Sequence, residues 1–542
     1  MLPSRYWPFA TCVLLMVVSA LALAYTPVAA WGLGIFGALS LLGTWDMVQR
    51  KQALRRNFPV TAHFRYGLES IGPEIRQYFI ESDTVELPFS RQQRAIVYQR
   101  AKNVLDKRPF GTQRNVYDDK YEWMNHSLQP SSIESHDFRI TIGEGRAQPY
   151  AASVFNISAM SFGSLSANAI LALNKGAKLG GFYHDTGEGS ISRYHREHGG
   201  DLVWEIGSGY FGCRDEHGRF DPERFALNAS NPQVKMIELK LSQGAKPGQG
   251  GILPAAKVSA EIAATRGVPE GVECHSPAAH SAFSTPIELL QFIDRLRDLS
   301  GGKPTGFKLA IGHPWEWFAI AKAMKQTGIL PDFIVVDGGE GGTGAAPLEF
   351  TDHVGAPMRE ALLLVHNTLV GLDLRSKVRL GAAGKIVTAF DIARALALGA
   401  DWVNAARGFM FALGCIQSQS CHTDRCPTGV ATQDPNRQAA LDPDDKAVRV
   451  ANFHRNTLVA LKELLAAAGL RHPLELGPEH IIRRVSSTEV RSLAKLHHFV
   501  PQGQLLEAVP EHAVFQVFWD QARAESFSPP PKAAEMQASK QQ

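Results

Sequence analysis

From Ala151 onward the chain alternates short β-branched runs with Ala/Leu-rich stretches of helical period, and this alternation restricts the fold more than any other feature. Eight runs read as strands: residues 153–157, 181–184, 236–240, 271–275, 306–311, 333–337, 378–382 and 402–405. Helices fit between them at 166–179, 287–299, 315–326, 359–370 and 389–398. Eight strands with crossover helices over residues 151–444 predict an α/β fold, a (β/α)8 TIM barrel whose active face is built from the loops after the strands. An open doubly wound sheet is the alternative built from the same parts.

Glycine-rich loops fall where such a barrel would use them. GGEGGTGAAP follows Asp337, GAAGKI follows Leu380 and AARGF follows Asn404. Each can bring backbone N–H groups close to a phosphate, although ordinary barrel turns also use glycine. No G-x-G-x-x-G opens a helix ahead of an acidic residue and no G-K-[ST] occurs, so nicotinamide dinucleotides and ATP have no motif support. SAMSFGSLS (158–166), after the first strand, and KLSQGAKPGQGG (240–251), after the third, pack small residues where a flat ring could lie. The second adds the cation Lys246. Lys308 interrupts the apolar run FKLAIG, and burying it unpaired is costly, so it must meet an anion. A flavin N1/O2 edge is one such partner, and an outward-facing salt bridge is the other reading. Arg266, closing an Ala-rich helical stretch, is by itself an ordinary helix-end cation.

Half of the six cysteines lie in one loop, Cys415, Cys421 and Cys426, spaced C-x5-C-x4-C with Pro427 after the last. Thiolates grouped this way repel one another unless a cation neutralises them, which points to a metal centre. Three thiolates before a proline suit an iron-sulfur cluster, and the missing fourth ligand favours three irons over four. A zinc site completed by His422, and three unrelated buried thiols, are the competing readings.

With 542 residues, 44% hydrophobic and 20% charged, the chain has room for a large domain with appendages. A formal charge of +3, without a basic run interleaved with aromatics, argues against nucleic acid. Six cysteines in such a length are no disulfide framework, and the thiol cluster calls for a reducing compartment, so the catalytic part is expected in the cytoplasm. Residues 1–50 depart from this picture. Stretches 7–25 and 28–42 are nearly continuous apolar runs on either side of Thr26-Pro27, with Arg5 before them and Arg50, Lys51, Arg55 and Arg56 after. That predicts a two-helix transmembrane hairpin in the inner or plasma membrane with both ends cytoplasmic. A cleaved signal peptide ending near Ala22–Ala24 is the alternative. Residues 51–150 read as a connecting and packing segment, 445–525 as a helical extension, and 526–542 as a disordered tail.

The motifs, in this order, resemble the synthase part of glutamate synthase, in particular short FMN-binding proteins of that family. The resemblance rests on SAMSFGSLS, DTGEGS, QGAKPGQGG, SPAAH, DGGEGGTGAAP and C-x5-C-x4-CP-x-GVATQDP. It implies an FMN-binding barrel in which 2-iminoglutarate, formed from 2-oxoglutarate and ammonia, is reduced to L-glutamate. Electrons would pass through a 3Fe-4S cluster on Cys415, Cys421 and Cys426, arriving from a ferredoxin-like donor. Lys246 and Arg266 match residues that hold the substrate carboxylates, and Lys308 matches the flavin-edge lysine. Gln243 and Ser158, Ala159, Met160 and Ser161 match the wall along the flavin; Gly342, Thr343, Gly344, Gly384 and Gly408 match the loops around FMN and its phosphate.

Departures from the family pattern bear on substrate. GEGGQLPG in the family is GQGGILPA here, so Gln249 stands for an acid and Ile252 for a glutamine that helps bind 2-oxoglutarate. A lost hydrogen bond to a charged group is worth about 1.5–3 kcal/mol, enough to change affinity or substrate. No amidotransferase domain is recognisable, so glutamine-dependent activity would need a separate glutaminase subunit. Alternatives are a flavin-dependent oxidoreductase for another 2-oxo or imino acid, a membrane electron-transfer subunit, and a phosphoribosyl-nucleotide barrel with a catalytic cysteine.

Overall fold

The structure, a computed structural model, describes residues 3–84 and 87–530; of the tail expected to be disordered, residues 531–542 lie outside the described residues. The chain divides into two compact units, Met1–Glu86 and Leu87–Gln542.

In the first unit, helices Trp7–Ala22 and Ala29–Val48 pack side by side. The stretches Ser4–Ala22 and Ala29–Val48 are each long and apolar enough to cross a membrane. Gly43 makes the close approach possible, since a Cβ there would run into the Phe9 ring. Asp46, fully buried near the end of the second helix, accepts hydrogen bonds from His63 Nε2 at 2.9 Å and from the Val60 N–H at 3.0 Å, so the chain after the hairpin folds back onto it.

In the second unit, eight parallel strands close into a barrel. In chain order they are β1 (Phe155–Ile157), β2 (His184–Asp185), β3 (Leu202–Ile206), β4 (Val234–Lys240), β5 (Thr305–Leu309), β6 (Phe333–Asp337), β7 (Arg379–Ala383) and β8 (Trp402–Ala405). β8 closes on β1 through Val403 opposite Phe155 and Ala405 opposite Ile157. The predicted barrel is correct, but one of its predicted strands is not. Cys274–His275 pairs antiparallel with Ile252–Leu253 within the β4–β5 connection, and the true third strand is Leu202–Ile206. The loop at 240–251 therefore follows the fourth strand.

Crossover helices form where caps and apolar periodicity agree. Ser166 Oγ accepts from Ala169 N at the start of Ala167–Gly180, and Gly181 ends that helix in the left-handed region. Thr285 with Glu288 and Thr388 with Asp391 make capping boxes for Pro286–Leu299 and Ala389–Ala397. Outward strand residues such as Phe155, Trp204, Ile237, Phe307 and Val336 meet these helices, while Tyr183, Val203, Met236, Phe333, Val335 and Trp402 pack inside the barrel.

The segment before the barrel is more than a connector. Its hairpin, Arg139–Ile142 with Tyr150–Ser153, covers the N-terminal end of the barrel. There Tyr150 Oη donates to Asp201 at 3.0 Å, Arg146 Nε to Asp332 at 2.6 Å and Arg379 Nε to the Thr141 carbonyl at 3.2 Å, all at the starts of barrel strands. The segment after the barrel is helical only in part. Pro443–Ala467 packs along Ala167–Gly180, after which Ile481–Arg484 pairs with both Glu122–Met124 and Val490–Ser492 in a three-stranded sheet.

Candidate active site at the mouth of the barrel

Inward positions change character along the strands. Near the hairpin they are apolar or aromatic, whereas toward the C-terminal ends they become Asp185, Glu205, Glu238, Lys240, Lys308 and Asp337. The buried Lys308 does meet an anion, and the structure supplies it from the protein: Nζ hydrogen-bonds Glu205 Oε2 and lies 3.3 Å from Glu238 Oε1. Lys308 therefore points inward, unlike the outward salt bridge considered from its sequence.

Above this layer the loops after β1, β2 and β4 meet. Gly187, at φ +64°, lies so close to the β1 loop that a Cβ would stand 2.6 Å from the Ser161 nitrogen. Arg266 is buried against the same loop: Nη2 donates to Ser161 Oγ at 3.3 Å and to the Phe162 carbonyl at 3.1 Å, while the guanidinium lies over the Phe211 ring. Glu188 is the hub. Lys240 Nζ is 3.2 Å from its Oε2. Burial would raise this carboxyl, but Lys240, Arg266 and Lys246 together hold it below its ordinary range. Lys246 itself is 1% exposed and its ammonium forms no hydrogen bond or ion pair among the described residues; burial pushes it down to about 8, against the pull of Glu188. Three cations around one carboxylate leave a surplus of two positive charges, the complement of a dianion.

The remaining wall residues are placed as follows. Ser158, Ala159, Ser161 and Gln243 are half-buried and Met160 is buried, with the Ser158 N–H bonded to the Ala405 carbonyl at 3.1 Å. Gln249 Oε1 is buried without a hydrogen-bond partner, and Ile252 is half-buried in the small antiparallel pair. Around the β6–β8 loops, Arg407 Nη2 donates to the Thr343 carbonyl at 3.0 Å, and a Cβ on Gly342 would stand 2.6 Å from that guanidinium. Lys385 is near enough that burial lowers it, with Glu340 opposing and Arg407 adding to the shift. Gly384 is crowded by Met358 and Glu340, Gly408 lies against Phe453, and Gly344 has open space around it. Sequence reasoning passed over Glu188, Lys240, Lys385 and Arg407. Lys240 carries the same signal as Lys308, a lysine in an apolar strand; Lys385 and Arg407 lie inside the two glycine loops already noted.

The three loop cysteines follow helix Arg407–Leu413, whose C-terminal Gly414 turns the chain at φ +108°. Cys415 and Cys426 are buried and Cys421 is half-buried. Burial pushes the Cys415 thiol up to about 11, and Cys421 and Cys426 are close enough to add to that shift. At Cys426 burial acts the same way, but N–H groups of Ala431, Thr428 and Val430 and the Thr428 hydroxyl outweigh it and pull the thiol below its usual value. Lys257, buried beside this loop, donates to the carbonyls of Ala431 at 2.9 Å and Ser164 at 3.2 Å. Gln433 Nε2 reaches the Gly163 and Leu165 carbonyls at 3.0 and 2.9 Å, and the Ser166 N–H reaches Val430, so the cysteine loop is bonded directly to the β1 loop of the mouth. A mononuclear zinc site fits poorly. His422 is exposed, and among the described residues the trio of candidate ligand atoms within 4.8 Å of one another belongs to Asp185, Glu205 and Glu238, whereas tetrahedral zinc would gather sulfurs to about 3.8 Å.

Barrel and mouth together define a (β/α)8-barrel enzyme with its site on the C-terminal face of the strands. Residues 99–471 match the family described as a conserved region in glutamate synthase. The glutamate synthase large subunit-like protein YerD of Bacillus subtilis is 39% identical, with 86% of this chain and 98% of that protein covered. An archaeal glutamate synthase [NADPH] of Methanocaldococcus jannaschii is 38% identical over 58% of each chain. The chain belongs to the glutamate synthase family. Among solved structures, a flavocytochrome b2 mutant with pyruvate bound (13% identity, TM-score 0.41, 83% of this chain and 91% of that one) and mandelate oxidase with (S)-4-hydroxymandelic acid (13%, 0.42, 80% and 98%) are similar.

Proposed function

We propose that this glutamate synthase-family oxidoreductase binds FMN and reduces 2-iminoglutarate, formed from 2-oxoglutarate and ammonia, to L-glutamate. The observation that carries the substrate class is the surplus of two positive charges from Lys240, Lys246 and Arg266 around Glu188. Lys246 and Arg266 hold the two carboxylates, and their burial keeps water from competing for the charges. The residues fit FMN: Gly187 against Ser161 leaves a smooth wall, Gln249 Oε1 is a buried acceptor without a donor, and Lys385 and Arg407 set cations beside the Gly342–Thr343 turn for a phosphate. When bound, FMN supplies two-electron reduction of a C=N bond. Cys415, Cys421 and Cys426 fit an iron-sulfur cluster by donor chemistry, with Lys257 as a nearby cation, and such a cluster supplies one-electron relay from a ferredoxin-like donor. The two apolar helices support a tether to the inner or plasma membrane, and the charges at Arg5, Arg50 and Lys51 favour a cytoplasmic catalytic unit.

The test is an anaerobic assay of the reduced enzyme with 2-oxoglutarate and either ammonia or glutamine. Glutamate formation with ammonia supports the reading, and glutamine use only with an added subunit supports a separate glutaminase. Protein extracted gently and found without a flavin absorption band would overturn it. Gln249 and Ile252 favour one second reading, the same cofactors acting on another 2-oxo or imino acid; a substrate screen in which a different acid outpaces 2-oxoglutarate establishes that reading.

A further inference from the structure

Beneath the mouth lies a charge imbalance that substrate binding does not explain. Asp185 from β2, Glu205 from β3 and Glu238 from β4 are each 1% exposed, and one carboxylate oxygen of each lies within 4.8 Å of the others. The ammonium among them is Lys308 of β5, bonded to Glu205. Asp337 of β6 stands at the rim, where its Oδ2 accepts from the Gly244 N–H at 2.8 Å. Lys240 is engaged by Glu188, and Tyr183, below the cluster, donates its hydroxyl proton to Asn404 at 2.6 Å. Three carboxylates against one ammonium leave a net charge of minus two in a space without solvent, and like charges this close cannot all stay ionised.

A second observation locates the missing charge. Glu238 Oε1 is buried and makes no hydrogen bond, although Lys308 Nζ is only 3.3 Å away. The ion pair alone leaves that oxygen without a hydrogen bond, whereas a carboxyl group carrying a proton donates to its acidic neighbours. Burial and Glu205 raise Asp185 to about 7, and burial raises Glu238 far above the ordinary range despite Lys308. A divalent ion would have to sit beside the Lys308 ammonium, a conflict that a proton avoids.

We propose that Asp185, Glu205 and Glu238 share a proton at neutral pH, and that this cluster takes up a further proton when negative charge builds on a ligand bound in the mouth above Lys308. The second half rests on the flavin reading above. Were a two-electron redox group bound there, its reduction would bring two electrons and one proton to the group itself, leaving it one charge more negative; a second proton, delivered from bulk water through the mouth, would form the new O–H bond on a cluster carboxylate. Asp185, Glu205 and Glu238 are thereby positioning residues, acting on the reaction through Lys308.

Infrared spectroscopy of the flavin-free full chain tests the first half. A protonated-carboxyl band at neutral pH that shifts in D2O and is lost in Glu238→Gln is the expected result, with Glu205→Gln as the second variant should the first misfold. No such band in the wild type, or an unchanged band in both folded variants, overturns the proposal. For the second half, flavin-loaded protein is reduced anaerobically with dithionite and proton uptake is followed with an indicator dye. Wild type is expected to take up about one proton more per flavin than Glu238→Gln; equal uptake overturns the coupling. A folded chain that binds no flavin refutes the flavin reading and this coupling together, while the infrared result still decides whether the carboxylates share a proton.

Discussion

Lys246 holds a pH-sensitive charge at the mouth, since burial lowers its ammonium to about 8 against the opposing pull of Glu188. Between that value and the ordinary 10.5 the unfolded chain keeps a proton that the folded chain has lost, so this residue adds stability as pH rises through the window and costs most below 8. Ligand binding runs the other way. Affinity for a dicarboxylate is expected to fall about tenfold per pH unit above pH 8, and Lys246→Arg, whose guanidinium stays charged, should flatten the profile. Calorimetry across that range decides it, and a flat wild-type profile would remove Lys246 from the carboxylate site. At the cysteine loop, Cys421→Ser is expected to lose most of the iron bound per chain and its visible absorbance; unchanged iron content would return the loop to buried thiols. Lys308 shows the limit of reading residues one at a time. Its need for an anion follows from a lysine inside FKLAIG, but Glu205 and Glu238 come from β3 and β4 and meet it only when those strands pair beside β5. Glu188 was equally invisible, because its role is defined by three cations drawn from separate segments.

At the scale of elements, strands with uninterrupted β-branched runs were legible and Leu202–Ile206 was not. That strand is five residues long, buried on both faces, and places Glu205 among its apolar residues, so it shows neither a continuous run nor a clean alternation. The run at 271–275 does hold a short strand, Cys274–His275, but it pairs with Ile252–Leu253 outside the barrel. The five crossover helices read from the sequence lie within a residue or two of those observed, and side-chain caps at Ser166, Thr285 and Thr388 mark three of their starts. One helix contact supplies a test. Gly176 lies in the middle of Ala167–Gly180, where alanine would normally add about 1 kcal/mol of helix stability. Here a Cβ would lie 2.5 Å from Val450 Cγ1 and 2.9 Å from the Ala447 carbonyl on helix Pro443–Ala467. Overpacking against backbone costs about 1–3 kcal/mol and outweighs the gain, so Gly176→Ala should lower the thermal midpoint. A rise in midpoint would show that the two helices can separate without loss.

For the whole molecule, the division after Glu86 separates the apolar helices from the barrel. Removing residues 1–52 is expected to move the protein from the membrane pellet to the soluble fraction with its barrel circular dichroism unchanged. A truncated protein that still floats with vesicles would mean that another surface holds the membrane. The hairpin Arg139–Ile142 with Tyr150–Ser153 has a larger consequence. It stoppers the N-terminal end, and the layer of Tyr183, Phe333 and Trp402 above it is packed and buried. The barrel is thus a one-ended vessel: water, protons and substrate share a single doorway. Whatever fills that doorway also shuts the carboxylates beneath it away from the solvent, so occupancy of the mouth sets how fast the interior can change its charge.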